Sequence, residues 1–423
     1  MNHSSETPGG RALRIAVVSK ADHFGGGASR VASELTSLLN AAGHHADHWL
    51  SWAGGELTDQ QRKLYGSCEL PIRAANLVLR RVGFPELIPF ELPALLFATH
   101  ARNYDLLHFH DLSSAISPLS LLYLSRSRPV AWTIHDCSPF TGGCLYPMDC
   151  RRFQSRCREC PQLGVWPIDS WFDFTGFQQG LKRRVAGCGR VQYLTPSAWM
   201  QKMAVSSGLF HTSPEVLHNG VDLEVFCPRD KAAVRQQLGL PLDRQIVLLA
   251  AGSLADERKG ARQAISALLS TRDLRPYILM VGSRSPQIRE LLNGFDLHET
   301  GYLGRSTDLA QHYAAADLFL FTSLADNQPL VVLETMATGT PIVGFATGGI
   351  PEMIVQNQNG YLATPGDIDS LSASLRQVLS NPATIHEWSL RGRKHAESLF
   401  SHNRFLANHI ALYQRMLTGT RRG

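Results

Sequence analysis

Short apolar runs alternate with longer amphipathic segments along the whole chain, and this alternation limits the fold more than any other feature. Two such runs are LRIAVVS at 13–19 and QIVLLAAGS at 245–253. Runs that are apolar at consecutive positions are typical of parallel strands covered by helices on both faces. The pattern therefore predicts an α/β fold. The other predicted strands are 105–110, 129–135, 191–197, 215–220, 277–283, 317–323 and 341–347.

The length of the chain and the position of its turns predict two domains. A chain of 423 residues exceeds the size at which one hydrophobic core keeps growing. Because the alternation occurs in both halves, we expect two Rossmann-like doubly wound domains that face a cleft. The turn at Asn219-Gly220 places the boundary between residues 1–218 and 219–399. We expect the C-terminal helix 400–423 to pack back on the N-terminal domain.

The composition is that of an ordinary globular protein with a small positive charge. Lys and Arg number 41 against 36 for Asp and Glu, which gives a net charge of +5. This excess suits anionic ligands or an acidic membrane surface, although most chains of such charge bind neither. No apolar stretch has the length of a signal peptide or a membrane span, so we expect a cytoplasmic protein. We expect no nucleic-acid partner.

A glycine-rich loop, FGGGASR at 24–30, follows the first predicted strand. Consecutive glycines allow close approach of a ligand, and the helix start behind them favours phosphate. The dinucleotide fingerprint G-x-G-x-x-G fails at Arg30, and no G-x-x-x-x-G-K-[ST] motif exists. Taken alone, the loop is as compatible with a tight connection as with a binding site.

The loops after the strands of the second half carry charged residues that could bind a nucleotide. ERKGAR at 257–262 places Lys259 near a helix start, where a cation suits a diphosphate, although a solvated charge run explains this motif alone equally well. Asp326 lies in the next such loop, and Glu334 lies about one turn into a helix opened by Pro329. Gly348-Gly349 form a further phosphate-type turn.

The segment SLADNQPLVVLETMATGTPIVGFATGGIPEMI resembles the C-terminal signature of glycosyltransferase family 4. The likeness continues through VLHNGVDLEVF, LTPSAW, GYLGRSTDLAQHYAAADLFL and FGGGASR, and covers nearly the whole chain. TIHD, PFTGGC and CPQLG are similar to the subgroup of bacterial exopolysaccharide assembly, the colanic-acid type among them. The resemblance implies the GT-B fold and a retaining, sugar-nucleotide-dependent transferase that needs no divalent cation.

The resemblance also implies a role for each matching residue. Glu334 would bind the donor ribose, and Lys259 the diphosphate. The family usually has an arginine beside this lysine on the diphosphate, but Ser253 occupies that position here. Arg258 is the nearest candidate to replace it. His135 and Asp326 would be catalytic residues at the donor sugar. The remaining donor-binding residues would be Gly26, Gly27, Asn327, Gly348 and Gly349.

These implications lead to an expected reaction with two alternatives. We expect a sugar to pass from a nucleoside-diphosphate sugar to a saccharide acceptor, lipid-linked, in bacterial surface polysaccharide synthesis. A phosphorylase or hydrolase on the same fold is one alternative, and a non-catalytic zinc-bearing scaffold is the other. The Arg-rich apolar stretch 73–90 suits peripheral contact with the inner face of a membrane, or a helix packed on the N-terminal domain.

Four cysteines form a cluster within an insertion at 137–164, just after His135. Their spacing is C-x5-C-x6-C-x2-C, and the last pair has the spacing of a zinc knuckle. Four thiolates leave no open position for catalysis, so the spacing predicts a structural zinc site, with free or disulfide-bonded thiols as the alternative. The predicted ligands are Cys144, Cys150, Cys157 and Cys160.

Overall fold

The computed structural model describes residues 11–419, which divide into two compact units. Unit 1 contains residues 11–217 and 406–419, and unit 2 contains residues 218–405. Residues 1–10 of the predicted N-terminal domain and 420–423 of the predicted C-terminal helix lie outside the described residues. Each unit is built on one parallel sheet with helices packed against it, so the predicted α/β fold with two Rossmann-like domains is confirmed.

Unit 1 contains a sheet whose strands are β1 (Arg14–Ala21), β2 (His45–Trp52), β3 (Gln61–Lys63), β4 (Leu106–Phe109), β5 (Val130–Thr133), β6 (Val191–Thr195) and β7 (Glu215–Val216). Their order is β3-β2-β1-β4-β5-β6-β7, and all neighbouring pairs are parallel. The helices of its first segment are α1 (Gly27–Ala41), α2 (Glu69–Arg81), α3 (Leu92–Ala101), α4 (Leu119–Leu124), α5 (Thr175–Gly187) and α6 (Ala198–Ser206).

Unit 2 contains a sheet whose strands are β8 (Ile246–Ser253), β9 (Tyr277–Ser283), β10 (Leu297–Glu299), β11 (Leu318–Phe321), β12 (Ile342–Phe345) and β13 (Gly360–Ala363). Their order is β10-β9-β8-β11-β12-β13, again with parallel neighbours. The helices that follow α6 are α7 (Lys231–Leu238), α8 (Ala261–Leu269), α9 (Pro286–Leu291), α10 (Ser306–Ala315), α11 (Leu330–Ala337), α12 (Ile368–Leu379), α13 (Pro382–Leu399) and α14 (His402–Gly419). The residues of α14 from Leu406 onwards belong to unit 1.

The central strands of unit 2 bury side chains on both faces of the sheet. Leu248 and Phe319 belong to one apolar cluster, whereas Val247 and Leu318, their neighbours in sequence, belong to the cluster on the other face. Full burial of such a side chain stabilises the fold by about 1.5–3 kcal/mol. This two-sided burial is the reason that the strands are apolar at consecutive positions.

Each sheet has one point at which the order of the strands reverses. In unit 1 the reversal lies between β1 and β4, and in unit 2 it lies between β8 and β11. The loops that leave the carboxyl ends of these strands diverge and leave a crevice, where ligands of open α/β sheets bind. None of the described helices is both long and apolar enough to cross a membrane.

Candidate active site

The loops after β8 and β11 bring two cations and one carboxylate together at the reversal point of unit 2. Lys259 Nζ lies 2.8 Å from Asp326 Oδ2, and Arg258 Nη1 lies 3.5 Å from Asp326 Oδ1. Ser323 Oγ donates a hydrogen bond of 2.7 Å to Asp326 Oδ2. Burial alone would raise the pKa of Asp326, but the two cations hold this pKa below its usual value. Asp326 is therefore an ionised carboxylate that fixes the Lys259 ammonium.

Two glycines allow the backbone of this site to pack closely. Gly260 has a φ of +68°, and a Cβ there would lie 2.0 Å from the carbonyl oxygen of Thr322. Gly348 has a φ of +58°, and a Cβ there would lie 1.7 Å from the carbonyl oxygen of Asp326. Only glycine fits both the left-handed conformation and the close approach. Gly349 follows directly and precedes a short 3-10 helix at Ile350–Glu352.

A second carboxylate of unit 2 lies in α11. The helix begins at Leu330, directly after Pro329, so Glu334 lies about one turn into it, as predicted. Glu334 and Asn327 are each only 3% exposed. Glutamate is rarely buried unless it is paired or serves a ligand. The position of Glu334, behind the start of a helix that follows Asp326, suits a hydroxyl-binding role.

The loop after β1 presents open backbone at the reversal point of unit 1. Gly26 has a φ of +102° and precedes α1, which begins at Gly27. A Cβ at either glycine would meet no atom within 4 Å, so the space above this loop is open. Beside it, Lys20 Nζ lies 3.0 Å from Asp111 Oδ2. Burial alone would lower the pKa of Lys20, but the nearby carboxylates of Asp111, Asp136 and Glu86 together outweigh burial and raise this pKa.

His135 follows β5 and is hydrogen-bonded to a second histidine. Its Nε2 lies 3.0 Å from Nδ1 of His110, which follows β4. Burial lowers the pKa of His135 to about 4. The imidazole is therefore neutral at physiological pH and can donate and accept hydrogen bonds without carrying a charge. His108 has a structural role, because it bonds to Tyr413 and Thr133 in the core of unit 1.

Three charged residues at the carboxyl ends of the unit 1 strands were not predicted from the sequence, namely Lys20, Asp111 and Asp136. Burial, followed by the nearby charge of Asp111, raises the pKa of Asp136 to about 6. A signal for the two aspartates is present in the sequence. Both β4 and β5 are followed by the same pair, His110-Asp111 and His135-Asp136, and the two strands are neighbours in the sheet.

The four clustered cysteines lie in the insertion after His135. Cys144 is buried and the other three are partly buried, and all eight cysteines of the chain are free thiols in the structure. Cys157 Sγ accepts a hydrogen bond from the Gly142 amide at 3.3 Å. Within residues 11–419, no group of three or more His, Cys, Asp or Glu side chains is arranged to hold a metal ion. Zinc at Cys144, Cys150, Cys157 and Cys160 therefore stays a prediction.

Solved structures share this fold over nearly the full length of the chain. Sucrose-phosphate synthase from Thermosynechococcus elongatus has a TM-score of 0.72 at 19% identity, covering 96% of this chain and all of that one. HepE from Anabaena, solved in complex with UDP-glucose, has a TM-score of 0.66 at 17% identity, with coverage of 96% and 100%. The fold and the loops at its two reversal points thus define a protein of the GT-B class.

Matches to two protein families narrow the assignment from the fold to a family. "Glycosyltransferase Family 4" matches residues 25–225, and "Glycosyl transferases group 1" matches residues 245–381. Between them the two matches cover most of both units. The chain belongs to glycosyltransferase family 4, as the sequence motifs predicted.

A curated relative supports this assignment. MMP α-(1→4)-mannosyltransferase from Mycolicibacterium hassiacum is 27% identical over 348 residues, which are 79% of this chain and 76% of the relative. Against seven further curated relatives, the chain spans only 38–55% of their length.

Proposed function

We propose that this chain transfers a sugar from a nucleoside-diphosphate sugar to a saccharide acceptor. The observation that carries the proposal is the cluster of Lys259, Arg258 and Asp326 at the reversal point of unit 2. An ammonium has three N–H donors, so Lys259 can bind a diphosphate while it pairs with Asp326. Arg258 pairs with Asp326 and, at 3.2 Å, with Asp256, which keeps its guanidinium beside the same site. HepE, which has the same fold, was solved with UDP-glucose, so UDP is the first nucleotide to test.

The donor contacts that we propose follow from the chemistry of each group. Lys259 and Arg258 bind the diphosphate, and Glu334 accepts hydrogen bonds from the ribose hydroxyls. The turn at Gly348-Gly349 offers backbone N–H groups, and the buried Asn327 offers a side-chain amide. Gly26 and Gly27 supply a second open backbone surface in unit 1.

Stabilisation of the leaving group is the main catalytic contribution in this proposal. The nucleoside diphosphate departs with growing negative charge, and preorganised cations lower the barrier because they need no reorganisation. Lys259 and Arg258 supply two positive charges at the site. We propose that the reaction needs no divalent cation for this reason.

We propose that the sugar is transferred with retention by front-face attack. A double displacement would need a free carboxylate nucleophile at the anomeric carbon. Asp326 is a poor nucleophile, because Lys259 and Ser323 both bind its Oδ2. In front-face attack the leaving phosphate oxygen takes the proton of the acceptor hydroxyl. NMR of the product tests this step, and an inverted anomer would refute it.

His135 and Asp326 are the proposed catalytic residues. The neutral imidazole of His135 can bond to a sugar hydroxyl without adding positive charge beside an oxocarbenium-like transition state. Its hydrogen bond to His110 fixes the orientation of the ring. Asp326 positions Lys259. Its carboxylate can also accept a hydrogen bond from a hydroxyl of the donor sugar, because two oxygens offer more lone pairs than Lys259 and Ser323 use.

We propose an acceptor of bacterial surface polysaccharide synthesis that is a lipid-linked saccharide. The support is the similarity of TIHD, PFTGGC and CPQLG to that subgroup. Peripheral contact with the cytoplasmic face of a membrane, through the stretch 73–90, belongs to the same proposal. α2 contributes Leu77 and Val78 to the surface, and these side chains are exposed.

The competing functions are separable by experiment. A thermal-shift panel of UDP, GDP, ADP and their sugars identifies the donor, because stabilisation grows with ligand concentration relative to the dissociation constant. Dependence on inorganic phosphate would indicate a phosphorylase, and release of free sugar without acceptor a hydrolase. A scaffold would give no turnover. Its one support is that Ser253 stands where the family has an arginine, and Arg258, which lies beside the Asp326 carboxylate, can supply that charge instead.

A further inference from the structure

Helix α2 lies on the surface of unit 1 with none of its residues buried. Arg73, Asn76, Leu77 and Arg80 follow the spacing i, i+3, i+4 and i+7, which places them on one face of the helix. This face lines a cavity of about 400 Å³. The cavity reaches Lys20 and Gly25, so it opens onto the loop at the reversal point of the sheet.

Cationic side chains line this cavity. Among the described residues that line it, Lys20, Arg73 and Arg80 are cations and none is a carboxylate. Each cation has an acidic partner outside the lining: Lys20 pairs with Asp111 at 3.0 Å, Arg80 with Asp169 at 2.9 Å, and Arg73 with Glu69 at 3.5 Å. Three cations on one wall suit a phosphate or diphosphate and exceed what a neutral saccharide needs.

The same cavity has apolar side chains in its wall, and exposed aromatic side chains follow Trp166 in the sequence. Leu77 and Trp166 line it and are both 48% exposed, and Lys20 Nζ lies 5.6 Å from the centroid of the Trp166 ring. Beyond the cavity, Trp171 and Phe172 are also exposed. Contiguous exposed apolar side chains on a monomer mark binding surfaces.

Contacts hold the aromatic segment against α2, so the surface is a built feature. The Trp171 amide donates to the Arg81 carbonyl at 2.8 Å. Arg80 and Arg81 both pair with Asp169. Phe84, just after α2, stacks on Phe174 with ring centroids 4.4 Å apart.

We propose that this cavity binds an acceptor in which a phosphate or diphosphate is joined to an apolar chain. The anion lies against Lys20, Arg73 and Arg80, and the chain runs over Leu77 and Trp166 towards the exposed aromatic side chains. The inference rests on the proposed glycosyl transfer and assigns the acceptor class and its site. An anionic bilayer would meet the outer side chains of α2, whereas Lys20 lies in the cavity with its side chain only 18% exposed.

Binding of farnesyl diphosphate to the full-length chain, measured by titration calorimetry, tests the proposal. We expect Arg73→Glu and Leu77→Asp each to weaken binding about tenfold or more, the effect of one lost charge-assisted or apolar contact. Val78→Asp is the matched control, because Val78 is exposed on the same helix but does not line the cavity. We expect this control to bind within about twofold of the wild type, and inorganic diphosphate and farnesol each to bind more weakly than farnesyl diphosphate.

Three results would overturn the proposal. The first is no binding of farnesyl diphosphate by a chain that still binds UDP, which leaves the proposed glycosyl transfer intact. The second is equal binding of inorganic diphosphate, which removes the apolar chain from the site. The third is that Val78→Asp and Leu77→Asp weaken binding of farnesyl diphosphate equally and also reduce flotation on phosphatidylglycerol vesicles equally. The surface would then be a membrane-docking face. Loss of UDP binding as well would instead count against the proposed function.

Discussion

Lys259 Nζ lies 2.8 Å from Asp326 Oδ2, and the two residues come from loops on either side of the point where the strand order of unit 2 reverses. The carboxylate holds the ammonium in place at the position where open α/β sheets bind ligands. A diphosphate that enters this position would share Lys259 with Asp326, so the cation is preorganised and does not have to be recruited from solvent.

Glu334 gives the first prediction. We expect Glu334→Gln to weaken binding of the donor nucleotide about 10- to 100-fold, because a charged acceptor of the ribose hydroxyls is lost. Titration calorimetry with UDP and with 2′,3′-dideoxy-UDP measures this effect. The wild type should discriminate strongly between the two nucleotides, and the variant less, because the neutral amide oxygen of glutamine is a weaker acceptor. A variant that still prefers UDP as strongly as the wild type would disprove the ribose role.

Gly348 gives the second prediction, which concerns the close packing of the site. We expect Gly348→Ala to destabilise unit 2 and abolish nucleotide binding, because its Cβ would lie 1.7 Å from the Asp326 carbonyl oxygen. Gly366→Ala is the control: Gly366 also has a positive φ, of +84°, but no atom lies within 4 Å of its Cβ position. The control should show only the conformational cost, about 1–2 kcal/mol. Thermal melts with equal losses in the two variants would contradict the packing argument.

The strands that could be predicted from the sequence are those buried on both faces. β8 is one example, because its apolar run shows no alternation that water on one side would impose. β2 was missed because its sequence, HADHWLSW, is neither a continuous apolar run nor a regular alternation: Asp47 and His48 are adjacent polar residues, and Trp49 and Leu50 are adjacent apolar ones. β3 and β10 have only three residues each, which is too short for any periodic signal.

The site was predictable where a motif was local and missed where it depended on the order of the strands. Lys259 and Asp326 lie in strand-end loops, and Glu334 lies in the helix that follows Asp326. These motifs can be recognised from the sequence, and the structure places Lys259 against Asp326. Asp111 was missed, because a carboxylate after a strand is also an ordinary turn residue. Only the neighbouring positions of β1 and β4 bring Asp111 to Lys20.

His135 gives the third prediction, a pH dependence of stability. Burial lowers its pKa to about 4 in the folded chain, so it takes up a proton on unfolding below its ordinary pKa of about 6.5. Its contribution to stability is therefore lost as pH falls through this range, at up to about 1.4 kcal/mol per pH unit. Urea unfolding at pH 7, 6 and 5 should show a shallower pH slope for His135→Asn than for the wild type.

The matched control for this experiment is His386→Asn, which removes an exposed histidine. His110, Asp111 and His409 lie near His135 and also shape its titration, so the comparison must be between variants rather than with a calculated curve. Identical pH slopes for the wild type and both variants would show that His135 is not neutral and buried in the folded chain.

The cysteine cluster gives the fourth prediction. We expect one zinc per chain after purification without chelators, and loss of the metal and of the fold in Cys157→Ser. The Gly142 amide that donates to Cys157 Sγ would stabilise a thiolate there. Cys68→Ser, at an exposed cysteine outside the insertion, should keep the metal. Elemental analysis that finds no metal in the wild-type protein would remove the zinc site.

Binding of a nucleoside diphosphate to Lys259→Ala tests the central claim most directly. We expect the wild type to bind one of UDP, GDP or ADP, and Lys259→Ala to bind it about 10- to 100-fold more weakly by titration calorimetry. Arg262→Ala, which removes an exposed cation from α8 three positions away, should bind like the wild type. If none of the three nucleotides binds, or if Lys259→Ala binds as tightly as the wild type, the proposed donor site is wrong.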